Sequence, residues 1–508
     1  MSTRPNVLWL MADQWHAKAL SCCGSQVRTP HLDAIAADGV LFERAFAVNP
    51  ICGPSRASFL TGQYCHTHGL QGNNNVCYTG GGETNIGALF QRRGWRTALT
   101  GKAHLPRAWV EDGFEFIRYT DLCDADPRDP TTCHYFQYLC ERGLDGYYEE
   151  GYARPGTVGE NDGSGPADLP YEHSIERYTG DETLRFLRDG RDDERPFFIK
   201  MSFQRPHAPM RPAREYYDKY DPASIELPAN SADWLENRFA SKPEFIRKKL
   251  QGSHYPYAHG EDGLKRLIAS YYALIEAIDA EIGRVVAELK EQGLYDNTII
   301  CFNADHGDFN GDHGLFHKNL GIYDSIQQIP FILRVPGGPK GVRRSQLIES
   351  IDMYPTLCEV AGLAVPAGVE GTSLLPIVYD DAPGRDECLC EWSWGNGPVP
   401  RINALRTDRY RLVYYNHEVG GELYDHDQDP GEMFNLWLDP AYATVRCELQ
   451  ERLFDRVNQY ACPLIMADDA HIAKANRYTP TPRLHGHGND WPTLKAAIEA
   501  RVPNRGPV

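Results

Sequence analysis

From about Gly263 to Gln292, apolar side chains recur at helical spacing: Leu264, Leu267, Ile268, Tyr271, Leu274, Ile275, Ile278, Ile282, Val285 and Leu289. Gly293 stops the run, and the β-branched segment Thr298–Asn303 follows almost at once. A long amphipathic helix feeding an apolar strand is the repeating unit of an α/β fold, because a strand apolar on both faces needs helices to cover it. The alternation recurs upstream. Asn6–Ala12 is an apolar strand ending at Asp13, Thr29–Gly39 a helix closed by glycine, Ile86–Arg93 a helix before Gly94, Arg96–Thr100 a short strand and Arg195–Phe203 a buried one. The expected fold is α/β, with a mainly parallel central sheet flanked by helices over residues 1–380. Ala404–Tyr415 and Gly421–Asp425 read instead as an antiparallel hairpin, giving a smaller C-terminal α+β subdomain over 381–462. Residues 120–170 and 221–256 have weak periodicity and read as long loops near the mouth of a site. Residues 463–508 are polar and rich in Pro and His. They form either an arm across a neighbouring subunit or a frayed tail, and the arm implies a homo-oligomer, a dimer or tetramer.

The net charge of −18 argues against nucleic acid as a partner, and an anionic ligand must be drawn in by local positive charge. No apolar run approaches the ~20 residues that span a bilayer, so no membrane association is expected. The opening apolar segment runs straight into Asp13-Gln14 without a cleavage site, unlike an export signal. The 14 cysteines are therefore expected as reduced thiols in a cytoplasmic protein. Neither Cys22-Cys23 nor Cys388 with Cys390 has metal-site partners at suitable spacing.

Two strands far apart in the chain each end in a carboxylate, Asp13-Gln14 after the first and Asp305-His306 after the late one. Ligands of open parallel sheets bind beyond the carboxyl ends of strands, so these groups can converge. Two carboxylates, an amide oxygen and an imidazole suit Ca²⁺, Mg²⁺ or Mn²⁺. In Cys52-Gly53-Pro54-Ser55-Arg56, Pro54 suits the first turn of a helix, which puts Cys52 at an N-terminus that favours negative charge and Arg56 one turn behind it. Lys102 and His104 follow a strand and are expected on the same side of an extended segment.

Cys52-x-Pro54-Ser55-Arg56-x-x-x-Leu60-Thr61-Gly62 resembles the signature of the type I sulfatases of the alkaline phosphatase superfamily, a likeness that extends over roughly residues 5–440. The resemblance implies an alkaline-phosphatase-like fold. It also implies oxidation of Cys52 to formylglycine by a formylglycine-generating enzyme. One divalent ion, Ca²⁺ or Mn²⁺, would be held by Asp13, Gln14, residue 52, Asp305 and His306. Lys102 and His104 match the element that binds sulfate oxygens and the formylglycine hydrate, His207 the residue that protonates a leaving group, and Lys318 the lysine that touches substrate and nucleophile. Asn73 or Asn74 adds a polar contact, Arg56 and Lys318 stabilise the nucleophile's anion, and Asp305 or a neighbour helps to deprotonate it. The implied substrate is a small anionic sulfate ester. Asp13-Gln14, where many sulfatases have two Asp, occurs in phosphonate monoester hydrolases and choline sulfatases. Lys102 and His104 point the other way, because the phosphonate hydrolases use uncharged hydroxyl residues there. Phosphonate or phosphodiester hydrolysis is thus the alternative activity, and a non-catalytic anion-binding relative the alternative class. Trp109, Tyr147, Tyr148, Trp392 and Trp394 are candidates to wall an apolar or choline-like group.

Overall fold

A computed structural model describes residues 4–70, 72–73, 85–150, 164–252, 260–318, 321–393, 401–416 and 420–459. Asn74, Trp394 and the 463–508 arm lie outside the described residues. The large sheet comprises β1 (Asn6–Asp13), β2 (Val40–Phe46), β3 (Arg96–Lys102), β4 (Phe116–Asp121), β5 (Phe197–Pro206), β6 (Thr298–Ala304), β7 (Gln328–Arg334), β8 (Val342–Arg344) and β9 (Ile348–Glu349). Their order is β4-β3-β5-β1-β6-β7-β2-β8, with β9 also paired to β2. Every pairing is parallel except those of β7, which runs against both β6 and β2. β1 is buried along its whole length, as the centre of a sheet covered on both faces requires.

The long helix spans Gly260–Glu291 and packs on helices Pro30–Ala37 and Ile175–Arg185. No helix among the described residues is long and apolar enough to cross a membrane. Two stretches differ from expectation. Residues 120–170 hold helix His134–Cys140, whose Tyr135 and Leu139 form a small core with Tyr148 and with Tyr178 of helix Ile175–Arg185, and residues 221–256 hold helices Ala232–Leu235 and Glu244–Gly252. Short helices carry too few periodic residues to show above loop composition.

The second sheet is an antiparallel meander, β10 (Glu387–Ser393), β11 (Arg401–Thr407), β12 (Tyr410–Tyr415) and β13 (Gly421–Asp425). It grips the chain on either side of Cys52. Ile51 packs with Trp392, Ile402 and Tyr415, while Val48, Tyr64 and Cys65 pack with Leu389, Leu405 and Leu412. Glu391 N donates to Val48 O at 2.9 Å, and Asn49 Nδ2 donates to Glu391 O. Buried Glu432, in the turn after β13, accepts from Arg411 Nε at 2.5 Å and Asp324 N at 2.8 Å, tying that turn to the large sheet.

Lys200, at the middle of β5, is fully buried. Among the described residues its Nζ has no hydrogen-bond partner, and it lies 4.4 Å from the centre of the Trp9 ring. Burial, reinforced by Arg56, holds its amine well below the ordinary lysine range. Lys200→Met is expected to stabilise the fold by about 1–3 kcal/mol, the cost of burying an unpaired polar group. The sign with pH follows from linkage. The unfolded chain holds the extra proton, so wild-type stability gains a component that rises with pH up to the ordinary lysine range. The variant's advantage therefore shrinks as pH rises, and denaturant titrations at several pH values measure it. An advantage independent of pH would show that the amine is charged in the fold.

Candidate active site

Because β1, β2, β3, β4, β5 and β6 run the same way, their carboxyl ends share one edge of the sheet. The chain emerges there as Asp13, Cys52, Lys102, Asp121, His207 and Asp305. β7 is antiparallel to β6, so the connection 305–327 leaves and re-enters at that same edge, which keeps Lys318 beside Asp305. Cys52 begins the helix Cys52–Thr61, capped by Ile51 and closed by Gly62 at φ 67°.

Asp13, Cys52, Asp305 and His306 are all buried, and a ligand atom from each lies within 4.8 Å of the others, so this group could hold one metal ion. Cys52 Sγ lies 3.7 Å from Asp13 Oδ1 and 3.2 Å from His306 Nε2. His306 Nδ1 donates to Gly307 O at 2.9 Å, which leaves the Nε2 lone pair facing the cluster. Burial lowers this imidazole to about 4, so it is neutral, as a ligand must be. Gln14 adopts φ 67°. Its N donates to Asp305 Oδ1 at 3.0 Å, and its Nε2 donates to Asp308 Oδ2 at 2.6 Å, so Oε1 turns inward. Lys318 Nζ donates to that Oε1 at 2.8 Å, to His306 Nε2 at 3.0 Å and to Cys52 Sγ at 3.1 Å. The donors thus converge on a positive group already, and their chemistry fits a hard divalent ion.

Arg56 is fully buried and braces the cluster from behind. Nε donates to Asp305 Oδ2 at 2.7 Å, one terminal nitrogen lies 3.4 Å from Asp13 Oδ2, and the other donates to Ser202 Oγ at 2.8 Å and Lys102 O at 3.0 Å. Lys102 Nζ sits 2.6 Å from Asp13 Oδ2 and 3.6 Å from Asp121 Oδ2. Burial alone would raise the Asp13 carboxyl, but Lys102, His207, Lys318 and Arg56 hold it well below its ordinary range, so it is ionised. Three cations, Arg56, Lys102 and Lys318, therefore stand with three carboxylates, Asp13, Asp305 and Asp121. With the buried Asp308 carboxyl, pushed up to about 7 by burial, also beside the cluster, a bound divalent ion would leave between one and two positive charges for an anionic ester to neutralise. That excess is how a chain of net charge −18 can attract an anion.

At the helix N-terminus, Asn73 Oδ1 accepts from Gly53 N at 2.9 Å. His104 lies beside it, but the segment is not extended there. Gly101 takes φ 88°, where a β-carbon would meet Ser202 O at 1.9 Å, and His104 takes φ 49°. Lys102 and His104 still turn together, both toward Asp121. His207 Nδ1 donates to Ala208 O at 2.9 Å, leaving Nε2 as an acceptor. Burial, together with Lys318 and Lys102, pushes this ring well below its ordinary range.

Three residues escaped the sequence reading: Ser202, Asp121 and Asp308. Only Asp308 had a local signal, three residues after Asp305, whereas the others depend on which strands are neighbours. Of the aromatic wall candidates, Trp109, Tyr148 and Trp392 belong to hydrophobic cores, and Tyr147 is exposed. A second donor group, Asp324, His426 and Glu432, is already saturated by arginine, with Arg406 Nε on Asp324 at 3.0 Å and Arg411 on both carboxylates.

The family model described as Sulfatase matches residues 5–363, and one described as N-sulphoglucosamine sulphohydrolase, C-terminal, matches residues 311–459. An arylsulfatase of Clostridium perfringens is 30% identical over 459 residues, covering 85% of this chain and 90% of the relative. A choline-sulfatase of Rhizobium meliloti is 26% identical, covering 86% and 83%. The phosphonate monoester hydrolase of Agrobacterium radiobacter superposes with a TM-score of 0.73 at 27% identity, covering 90% of this chain and 96% of that one.

Proposed function

The chain belongs to the sulfatase family of sulfuric ester hydrolases, and from that premise we propose that it cleaves sulfate monoesters, with residue 52 matured to formylglycine and one Ca²⁺ or Mn²⁺ beside it. The observation that carries this reading is the position of Cys52 Sγ, 3.1 Å from Lys318 Nζ and 3.2 Å from His306 Nε2 at a helix N-terminus. Formylglycine, once formed, supplies an oxygen nucleophile and an exit for the inorganic anion that a thiol lacks. Asp13, Gln14, Asp305 and His306 would hold the ion, whose chemistry when bound is polarisation of an ester oxygen. Arg56, bonded to Asp305 and lying against Asp13, aims both carboxylates. Lys102 and Lys318 take up charge that develops on the ester's oxygens, and His207, whose Nε2 is unprotonated in the resting ring, must first take up a proton there before passing it to the departing alcohol or phenol. Maturation by a formylglycine-generating enzyme in the cytoplasm, and assembly into a dimer or tetramer, complete the reading.

The Gln14 amide, which places one negative charge fewer on the ion, favours phosphonate monoester or phosphodiester cleavage as a second activity. Nitrophenyl sulfate and a phenylphosphonate monoester, compared on metal-loaded protein, separate the two, and kcat/KM is expected to be higher for the sulfate. A phosphonate preference of more than about tenfold, or 1.4 kcal/mol in barrier, moves the assignment to the second reading. Mass spectrometry of the Cys52 peptide from the natural host runs beside it. The peptide is expected to have lost sulfur and two hydrogens and gained oxygen, and an unmodified mass points to an anion-binding protein instead.

A further inference from the structure

Asp121 closes β4 at the edge of the site and is 7% exposed. Its main-chain carbonyl accepts from both Ala103 N and His104 N, each at 3.2 Å, and its Oδ2 accepts from His104 Nδ1 at 2.6 Å. One residue thus holds His104 by backbone and by ring, in a left-handed conformation that a non-glycine residue keeps only when its surroundings enforce it. The other end of the ring faces the nucleophile helix. His104 Cδ2, the neighbour of Nε2, lies 3.6 Å from where a β-carbon on Gly53 would stand. Lys102 is the weaker partner of Asp121, at 3.6 Å, because its ammonium is committed to Asp13 at 2.6 Å. Burial would raise the Asp121 carboxyl, but His104, Lys102 and Arg56 hold it below its ordinary value, so the Nδ1 proton stays on the ring.

We propose that Asp121 is a positioning residue that makes His104 a proton carrier for position 52, an inference that rests on the sulfate-ester reading for the reaction it serves. With Nδ1–H bound to the carboxylate, Nε2 has its lone pair toward the helix N-terminus. A proton accepted there converts the ring to an imidazolium lying against the Asp121 charge, and its release to solvent restores the neutral ring. No bond to a heavy atom changes on either residue. A buried carboxylate that fixes a tautomer and steadies the imidazolium is the arrangement by which other hydrolases arm a histidine.

Asp121→Ala and Asp121→Asn test this in the full-length, metal-loaded protein. Asp121→Ala is expected to lower kcat on nitrophenyl sulfate on the order of 10²-fold, the lower end for a general acid–base group, with KM little moved, and to lower the melting temperature because a buried charge partner is lost. Asp121→Asn, which still accepts from Nδ1 but lacks the charge, is expected to fall between it and wild type. An unchanged kcat, or a kcat that Asp121→Asn does not restore above Asp121→Ala although it restores the melting temperature, overturns the role. Independently of any substrate, ¹⁵N NMR of the His104 ring, assigned with His104→Gln, is expected to report Nδ1–H in wild type and Nε2–H in Asp121→Ala. A wild-type ring protonated at Nε2 overturns the proposal outright. Nδ1–H without sulfate turnover unseats the sulfate reading and leaves the hold of Asp121 on His104 standing.

Discussion

Cys52→Ala is expected to reduce turnover by on the order of 10⁴-fold or more, because the covalent route closes and only electrostatic stabilisation of the ester is left. The thiol makes short contacts with Lys318, His306 and Asp13, yet each of these keeps another partner without it, Gln14 for Lys318, Gly307 for His306 and Lys102 for Asp13. Arg56 keeps Asp305 and Asp13, and Lys102 keeps Asp13, so no charge is orphaned by the substitution. The stability cost should be ordinary for one small buried side chain, about 1 kcal/mol. The result that would count is therefore a dead enzyme with a near-normal melting temperature. A variant within about tenfold of wild-type kcat/KM, equivalent to 1.4 kcal/mol, would place the nucleophile elsewhere.

Stripping divalent ions with a chelator should have an effect of similar size, reversed by Ca²⁺ or Mn²⁺. Without the ion, the two buried carboxylates answer only to Arg56, Lys102 and Lys318, and the site loses the charge excess that recognises an anion. Binding should also be visible without substrate. An ion that binds only the folded chain adds about 2.7 kcal/mol of stability at a hundred times its dissociation constant. Asp13→Asn should abolish that increment as well as turnover. It should also destabilise the apo-protein by about 3–5 kcal/mol, because the Lys102 ammonium, 2.6 Å from Asp13 Oδ2, is left buried without its main counter-charge. Full turnover in chelator, together with a melting temperature indifferent to both ions, would refute a metal centre formed by Asp13, Asp305 and His306.

Much of the scaffold was legible along the chain. The long amphipathic helix, the strands ending at Asp13 and before Asp305, and the helix opening at Cys52 all follow from local periodicity, apolar runs and the proline and glycine signals at helix ends. The C-terminal antiparallel sheet was legible in part: Ala404–Tyr415, read as one strand of a hairpin with Gly421–Asp425, turns at Asp408-Arg409 into β11 and β12. β2, β4, β7, β8, β9 and β10 were not read. Val40–Phe46 carries Glu43 and Arg44 in its middle, and Gln328–Arg334 is interrupted by Pro330, so neither shows a clean strand pattern. Missing β4 meant missing Asp121, whose significance lies in standing beside Lys102 in the parallel pairing of β3 with β4.

By itself, then, the order of residues determined which side chains carry charge, nucleophile and imidazole, and that each follows a strand or opens a helix, because such signals act over a few residues. Only the tertiary structure decided who meets whom. The antiparallel turn of β7 returns Lys318 to Cys52, the pairing of β3 with β4 gives His104 its carboxylate, and the second sheet clamps the residues flanking the nucleophile. These meetings depend on strand neighbours brought together from distant parts of the chain, whose pairing is set by burial of the whole sheet rather than by any local preference.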